Sequence, residues 1–339
     1  MKKLHNCLYI NTQKTYLHKE RETLVVEQGS RKLLQLPIHS LQQIFCFGNV
    51  LVSPFVLGFC GDHGVGLAFF TEYGKYLGRL QGRQSGNILL RKAQYRKAES
   101  NPLELVRTFV AAKVINTRSV LQRHGRNHAL SPELKSAVNK LSQRIEQIRY
   151  SGNIESIRGL EGDSAAIYFS VFNGLILPSV KSDFVFNGRN RRPPKDPVNA
   201  LLSFCYSILG NEIASSLQGV GLDPQAGFLH SDRPGRDGLA QDLLEEFRAW
   251  WVDRFVLNLI NRKQLKYKDF DFQASGAVVL KEPARKTLLT AWQEKKHDEI
   301  VHPYLNEKIQ IGLLPHVQAM LLAKYLRGEL DCYPPFVPR

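Results

Sequence analysis

The sequence predicts an α+β chain: a β-rich N-terminal domain over residues 1–82, followed by a larger all-α domain over residues 83–339. Three observations carry that reading. Short segments rich in Leu, Val, Ile and Phe recur up to about residue 82, and long helical spacings take over from about Asn87. The length of 339 residues also exceeds what one hydrophobic core usually organises.

Strands are expected at Leu8–Ile10, Thr15–His18, Leu24–Glu27, Leu33–Leu36, Gln42–Phe47, Val65–Phe70 and Tyr76–Leu80. Gly29, Pro37, Gly48–Asn49 and Gly74 punctuate them, the pattern of an antiparallel domain. One helix interrupts the series. Ser53 is placed to cap it, Pro54 takes its first position, and Gly61 ends it. In the second domain, Leu103, Val106, Phe109, Val110, Val114 and Val120 mark a helix over 102–126. Further helices are expected at 131–149, 161–174, 197–217, 238–260, 283–296 and 307–327, with Asp196–Pro197 a start and Gly328 a stop. The final C-Y-P-P-F-V-P-R reads as a frayed tail. No internal repeat or low-complexity tract occurs.

Charge is the outlier in composition: 46 Lys and Arg stand against 31 Asp and Glu, a formal net charge of +15. That excess favours binding to nucleic acid or an acidic surface. No apolar stretch approaches a membrane span, the longest lying around Val65 to Phe70, and M-K-K-L-H-N-C-L-Y-I has no apolar core of a signal peptide. Cys7, Cys46, Cys60, Cys205 and Cys332 lack any C-x-x-C pair, which predicts buried, inert, reduced thiols in a cytosolic protein.

Acids and one imidazole carry the chemistry. Glu161 lies in R-G-L-E-G-D-S-A-A-I-Y-F, His230 in D-P-Q-A-G-F-L-H, and Asp242, Glu245 and Glu246 in L-A-Q-D-L-L-E-E-F-R. These oxygen and imidazole donors suit Mg²⁺ or Mn²⁺. On one continuous helix from Gly238, Asp242, Glu245 and Glu246 would share a face and repel one another unless a cation intervened. The plain alternative is a solvated acidic face with Arg248 as counterion, and a structural His230. Small residues around Glu161 (Gly159, Gly162, Ala165, Ala166) would let another helix approach it, which is costly for an uncompensated charge.

Cations form a second set. Ten Lys or Arg and two Glu fall between Arg83 and Arg126. The proline-stiffened segment G-R-N-R-R-P-P-K-D-P places Arg189, Arg191, Arg192 and Lys195 together, and guanidinium forks match phosphate oxygens. Other chemistries lose support. His124 and His128 lack the Glu of H-E-x-x-H, and Phe69 stands where a dinucleotide-binding third glycine would follow Gly64 and Gly66. Gly74–Lys75 is followed by Tyr76 rather than Ser or Thr, and no G-x-S-x-G occurs.

These segments, in order over nearly the whole chain, resemble the CRISPR-associated integrase/endonuclease family, the catalytic subunit of spacer acquisition. The matching stretches are G-N-V-L-V-S, L-L-R-K-A-Q-Y-R, K-V-I-N-T-R, R-G-L-E-G-D-S-A-A-I-Y-F, N-R-R-P-P-K-D-P-V-N-A-L-L-S-F-C-Y, D-P-Q-A-G-F-L-H and D-L-L-E-E-F-R. The opening is similar to the variant of the C subtype of type I systems. The resemblance implies a dimerising N-terminal domain, a homodimer, and assembly with a small ferredoxin-like partner on double-stranded DNA. It assigns Glu161, His230 and Glu245 as catalytic metal ligands, with Asp242 a further catalytic acid, either supporting a ligand or itself an alternate one, and Glu246 an alternative to Glu245. The activity implied is insertion of short DNA fragments into a CRISPR array, a 3′-hydroxyl attacking a phosphodiester in line. Two rivals stand beside it: a non-catalytic DNA-binding scaffold, and a partner-independent mobile-element integrase of the same fold.

Overall fold

The computed structural model describes residues 6–80, 88–128 and 131–338. The expected boundary at 82/83, Arg83 and the first five residues lie outside them. The chain divides into two compact units. The first holds the described residues up to 80 with Glu282–Asp298 and Gln310–Leu313, and the second holds the rest.

In the first unit the chain runs β1 (Asn6–Ile10), β2 (Thr15–Glu20), β3 (Thr23–Gln28), β4 (Arg31–Pro37), β5 (Leu41–Phe47), β6 (Val50–Val52), α1 (Pro54–Asp62), β7 (Gly66–Phe70) and β8 (Tyr76–Arg79). Ser53 Oγ accepts the Val56 N–H, so the expected cap forms with Pro54 behind it. The strands make two four-stranded sheets, ordered β1-β5-β7-β8 and β4-β3-β2-β6. They are mixed rather than purely antiparallel, because β1 with β5, β5 with β7, and β2 with β6 pair parallel. Parallel pairs need long crossovers. The β2–β4 excursion supplies one, and β6 with α1 supplies another. β6 was not foreseen, since three residues between Gly48 and Ser53 are too short to show alternation. Leu17, Leu24, Ile44, Val56, Phe59 and Leu67 bring both sheets and α1 into one core.

The later elements are α2 (Ile88–Ser100), α3 (Leu103–Asn127), α4 (Pro132–Tyr150), α5 (Ile154–Val171), α6 (Pro197–Gly219), α7 (Gly238–Leu244), α8 (Arg254–Asn261), α9 (Glu282–His297) and α10 (Leu314–Leu326). Side-chain caps start three of them: Ser131 on α4, Asn153 on α5 and Asp196 on α6. The region after residue 83 is not wholly helical, for β9 (Phe270–Phe272) pairs β10 (Val278–Leu280) and β11 (Glu299–Val301) pairs β12 (Lys308–Gln310). Nor does all of it belong to the second unit. α9 is part of the first, where buried Arg285 donates to the Glu72 carbonyl and Asn11, and buried Lys296 donates to Cys7 Sγ at 3.0 Å.

Three further expectations change. The helix predicted over 238–260 breaks after Leu244, turns through Glu245–Phe247, and continues as a π-helical Arg248–Asp253 before α8. The one predicted over 307–327 begins only at Leu314, with Pro315 at its start. The tail is packed, with Tyr333 and Phe336 buried. Four cysteines are buried as expected, and burial pushes the thiols of Cys46 and Cys60 up to about 12 and about 11; Cys332 is exposed. Among the described residues, no helix is long and apolar enough to cross a membrane.

Candidate metal centre

Asp242 on α7 is fully buried and organises the His230 loop. Its Oδ2 accepts the N–H groups of Phe228 (2.6 Å) and Leu229 (3.0 Å), and its Oδ1 that of His230 (3.0 Å). The same Oδ1 faces His230 Nδ1 at 2.6 Å. A carboxylate ringed by donors only accepts, so Nδ1 bears the proton and Nε2 is the nitrogen left for another partner. Gly227 makes this wrap sterically possible. A Cβ there would stand 2.8 Å from the His230 carbonyl oxygen and 3.0 Å from Asp242 Oδ2.

Two residues to which the sequence assigned no individual role complete the loop's support. Buried Gln94 on α2 donates to the carbonyls of Asp223 and Ala226, each at 2.8 Å, and accepts the Asp223 N–H at 2.9 Å. Arg158 on α5 clamps the Leu229 carbonyl with Nε at 3.1 Å and Nη2 at 2.7 Å. His230 is therefore held from α2, α5 and α7 at once.

Glu161 on α5 and Glu245 after α7 meet at one cation. Lys113 Nζ, from α3, donates to Glu161 Oε1 and pairs with Glu245 Oε2 at 2.7 Å. Arg248 Nε pairs with the other oxygen of Glu245 at 3.0 Å. Burial by itself opposes ionisation of Glu245, yet Arg248, Lys113 and His230 outweigh it and hold the carboxyl at about 2. Arg248 is thus the counterion that the solvated-face alternative named, but Asp242, Glu245 and Glu246 are all buried, so no solvated acidic face exists. The small residues beside Glu161 do not admit a helix either. A Cβ at Gly159 or Gly162 meets nothing within 4 Å, which leaves that side of Glu161 open.

Glu246 points elsewhere. The turn after α7 sends it into a buried pocket where Gln318 Nε2 (2.9 Å), Tyr333 OH (2.7 Å) and the Phe336 N–H (2.8 Å) donate to it. Burial pushes its carboxyl up to about 7 against those three donors. The three acids therefore do not share a face, and Glu245, not Glu246, joins Glu161.

The basic loop divides similarly. Arg189 is half-buried, donating to Asn199 Oδ1 at 2.7 Å and Ser203 Oγ at 3.1 Å, and its guanidinium lies over the Tyr206 ring. It belongs to the loop's scaffold rather than to a free phosphate-binding rim. Arg191, Arg192 and Lys195 are exposed. The Val278 N–H donates to the Pro194 carbonyl at 2.8 Å, so the β9–β10 hairpin pins the loop.

Among the described residues, no group of three His, Cys, Asp or Glu side chains closes on one point. A divalent ion nevertheless fits the donor chemistry. Two carboxylates from different elements already share one positive charge, that of Lys113. His230 lies near enough to favour the Glu245 charge.

The sequence model of the CRISPR associated protein Cas1 family matches residues 8–294. The chain belongs to that family. A protein of Chlorobaculum tepidum named CRISPR-associated endonuclease Cas1 1 is 49% identical over 344 residues, covering 100% of both chains. One from Rhodospirillum rubrum, CRISPR-associated endonuclease Cas1 2, is 44% identical and covers 99% of each. Among solved structures, a CAS1 protein from Thermotoga maritima superposes with a TM-score of 0.82 at 22% identity, over 97% of this chain and 99% of that one. A casposase bound to integration product gives 0.82 at 22%, over 96% and 91%. A Cas6-RT-Cas1–Cas2 complex gives 0.82 at 20%, over 99% of this chain and 36% of that one. At these identities the superpositions show the fold, and they agree with an α+β chain.

Proposed function

We propose that this chain is a metal-dependent DNA endonuclease and integrase that inserts short DNA fragments into a CRISPR array. The observation that carries the reading is the meeting of Glu161 and Glu245 at one cation, 84 residues apart in sequence, beside an imidazole fixed by Asp242. Glu161, His230 and Glu245 would hold Mg²⁺ or Mn²⁺, which supplies Lewis-acid stabilisation of charge on phosphodiester oxygens. Asp242 keeps the His230 proton on Nδ1 and so presents Nε2. Arg191, Arg192 and Lys195 hold the DNA backbone while a 3′-hydroxyl, or water in the nuclease reaction, attacks in line. The printed names of the two close relatives support nuclease activity, and the casposase neighbour supports strand transfer.

The same reading includes a homodimer through the first unit and a small ferredoxin-like partner, the latter supported by the Cas1–Cas2 neighbour. An integration assay on a supercoiled, repeat-bearing plasmid with Mn²⁺, with and without the small partner, tests it. Glu161→Ala and His230→Ala should abolish strand transfer while DNA binding persists. One observation favours a scaffold instead: Lys113 satisfies both carboxylates without a metal. Unchanged strand transfer in both variants would establish that reading and remove the catalytic one.

A further inference from the structure

Lys113 has no role in the reading above, yet it occupies the site's electrostatic centre. It sits mid-way along α3, and its side chain is only 14% exposed. Its ammonium reaches two carboxylates carried by different parts of the second unit, Glu161 on α5 and Glu245 beyond α7. Without it, Glu161 would lose its one described ion-pair partner, and Glu245 would keep Arg248 as its one described ion pair. Two cations cannot share the few ångströms between the same pair of oxygens, because their repulsion there is not screened by bulk water.

Resting on the metal-site reading, we propose that Lys113 is a resident counter-cation whose ammonium competes with the divalent ion for Glu161 and Glu245 and withdraws when the ion enters. Lysine suits this use better than arginine. Its charge is compact and sits on a flexible four-carbon stem, so it can leave without dismantling a bidentate fork. Arg248, by contrast, lies over Tyr206 and remains on Glu245 Oε1. The metal-free site is then held together by Lys113, and part of the ion's binding energy goes into displacing it, so apparent affinity falls by the fraction of molecules in which the position is open.

The test uses the full-length protein and Mn²⁺, with binding read by electron paramagnetic resonance of free Mn²⁺ and by thermal unfolding. Lys113→Met should melt at a lower temperature than wild type without metal. It should bind Mn²⁺ about tenfold more tightly and gain more in Tm on metal addition. Equal or weaker Mn²⁺ affinity in folded Lys113→Met overturns the inference. Lys113→Gln gives a second reading of the same sign should the first variant not fold. In wild type, Mn²⁺ should raise the labelling of Lys113 by an amine-reactive probe, mapped by mass spectrometry; unchanged or reduced labelling with the metal bound also overturns it. Glu161→Gln and Glu245→Gln separate the two levels. If wild type binds no Mn²⁺ that these substitutions remove, the metal-site reading itself fails. If it does bind and only the Lys113 effects are missing, the metal site stands and the competition does not.

Discussion

Asp242 shows how much one buried carboxylate can organise. Three backbone N–H groups and the His230 ring converge on its two oxygens. Asp242→Asn keeps the shape but turns one acceptor into a donor facing N–H groups. The expected loss is about 1–3 kcal/mol of stability in urea, with about 10–100-fold weaker Mn²⁺ binding; wild-type values for both would remove its positioning role. Asp253 gives the pH counterpart. It is buried against the hydroxyls of Tyr168 (3.0 Å) and Tyr206, and burial pushes its carboxyl from the ordinary 3.8 up to about 6. A carboxyl raised in the folded chain binds more protons there than when unfolded. Its contribution is fully present below about 3.8 and is lost as pH rises through about 6. Asp253→Asn removes that slope. The stability of wild type minus variant should therefore fall by up to about 3 kcal/mol between pH 4 and 7, read from urea titrations at each pH. A difference that grows with pH contradicts the assignment. At this scale the sequence marks Glu161, His230, Asp242 and Glu245 because their side-chain types are costly to bury and apt for metal. It names Arg248 only as a counterion, and it gives no individual role to Lys113, Gln94 or Arg158, whose side-chain types are ordinary on a helix surface.

Between elements, the break after α7 decides which acid serves the site. A continuous helix would keep Glu245 and Glu246 about 100° apart on one cylinder. The turn through Glu245–Phe247 instead directs Glu245 to Lys113 and Glu246 to the tail. Helical periodicity was legible in the sequence, but the break was not, because no Gly or Pro falls between Leu239 and Arg262. The tail was misread for a related reason: its prolines suggest fraying, while Tyr333 and Phe336 supply the ring packing and donors that Glu246 requires. Phe336→Ala should cost about 3–5 kcal/mol in urea unfolding; a loss below 1 kcal/mol would mean the tail is not seated. The basic loop makes a separate prediction. Replacing Arg191 and Arg192 with Ala should weaken DNA binding across sequences and lower the log–log salt slope by about 2. Arg189→Ala should chiefly reduce stability, because its guanidinium serves Asn199, Ser203 and Tyr206. An equal salt-slope change for Arg189→Ala would return that residue to the DNA-facing rim.

For the whole molecule, the change in hydrophobic period suggested two parts in sequence order, whereas the two compact units are not contiguous in sequence, because α9 returns to the first. An amphipathic helix does not announce which core it joins; the buried Arg285, Leu288, Trp292 and Lys296 of α9 lie within the first unit. The proposed homodimer makes a prediction on the same unit. Tyr16 on β2 lies directly opposite Leu51 on the edge strand β6, and Tyr16 and Phe55 line one hollow of about 320 Å³. Leu51 is 63% exposed and Phe55 80%. Single exposed apolar residues are ordinary, but three adjoining ones at an unpaired sheet edge fit an interface, where a second copy would bury both the rings and the free edge of β6. A two-fold dimer presents the same patch twice, so one charge per chain puts like charges opposite each other and doubles the penalty. Leu51→Asp combined with Phe55→Asp should therefore convert a dimer to a monomer in light scattering coupled to gel filtration. The chain should stay folded by circular dichroism, since neither residue lies in the core. An unchanged dimer mass at micromolar concentration would place the interface elsewhere.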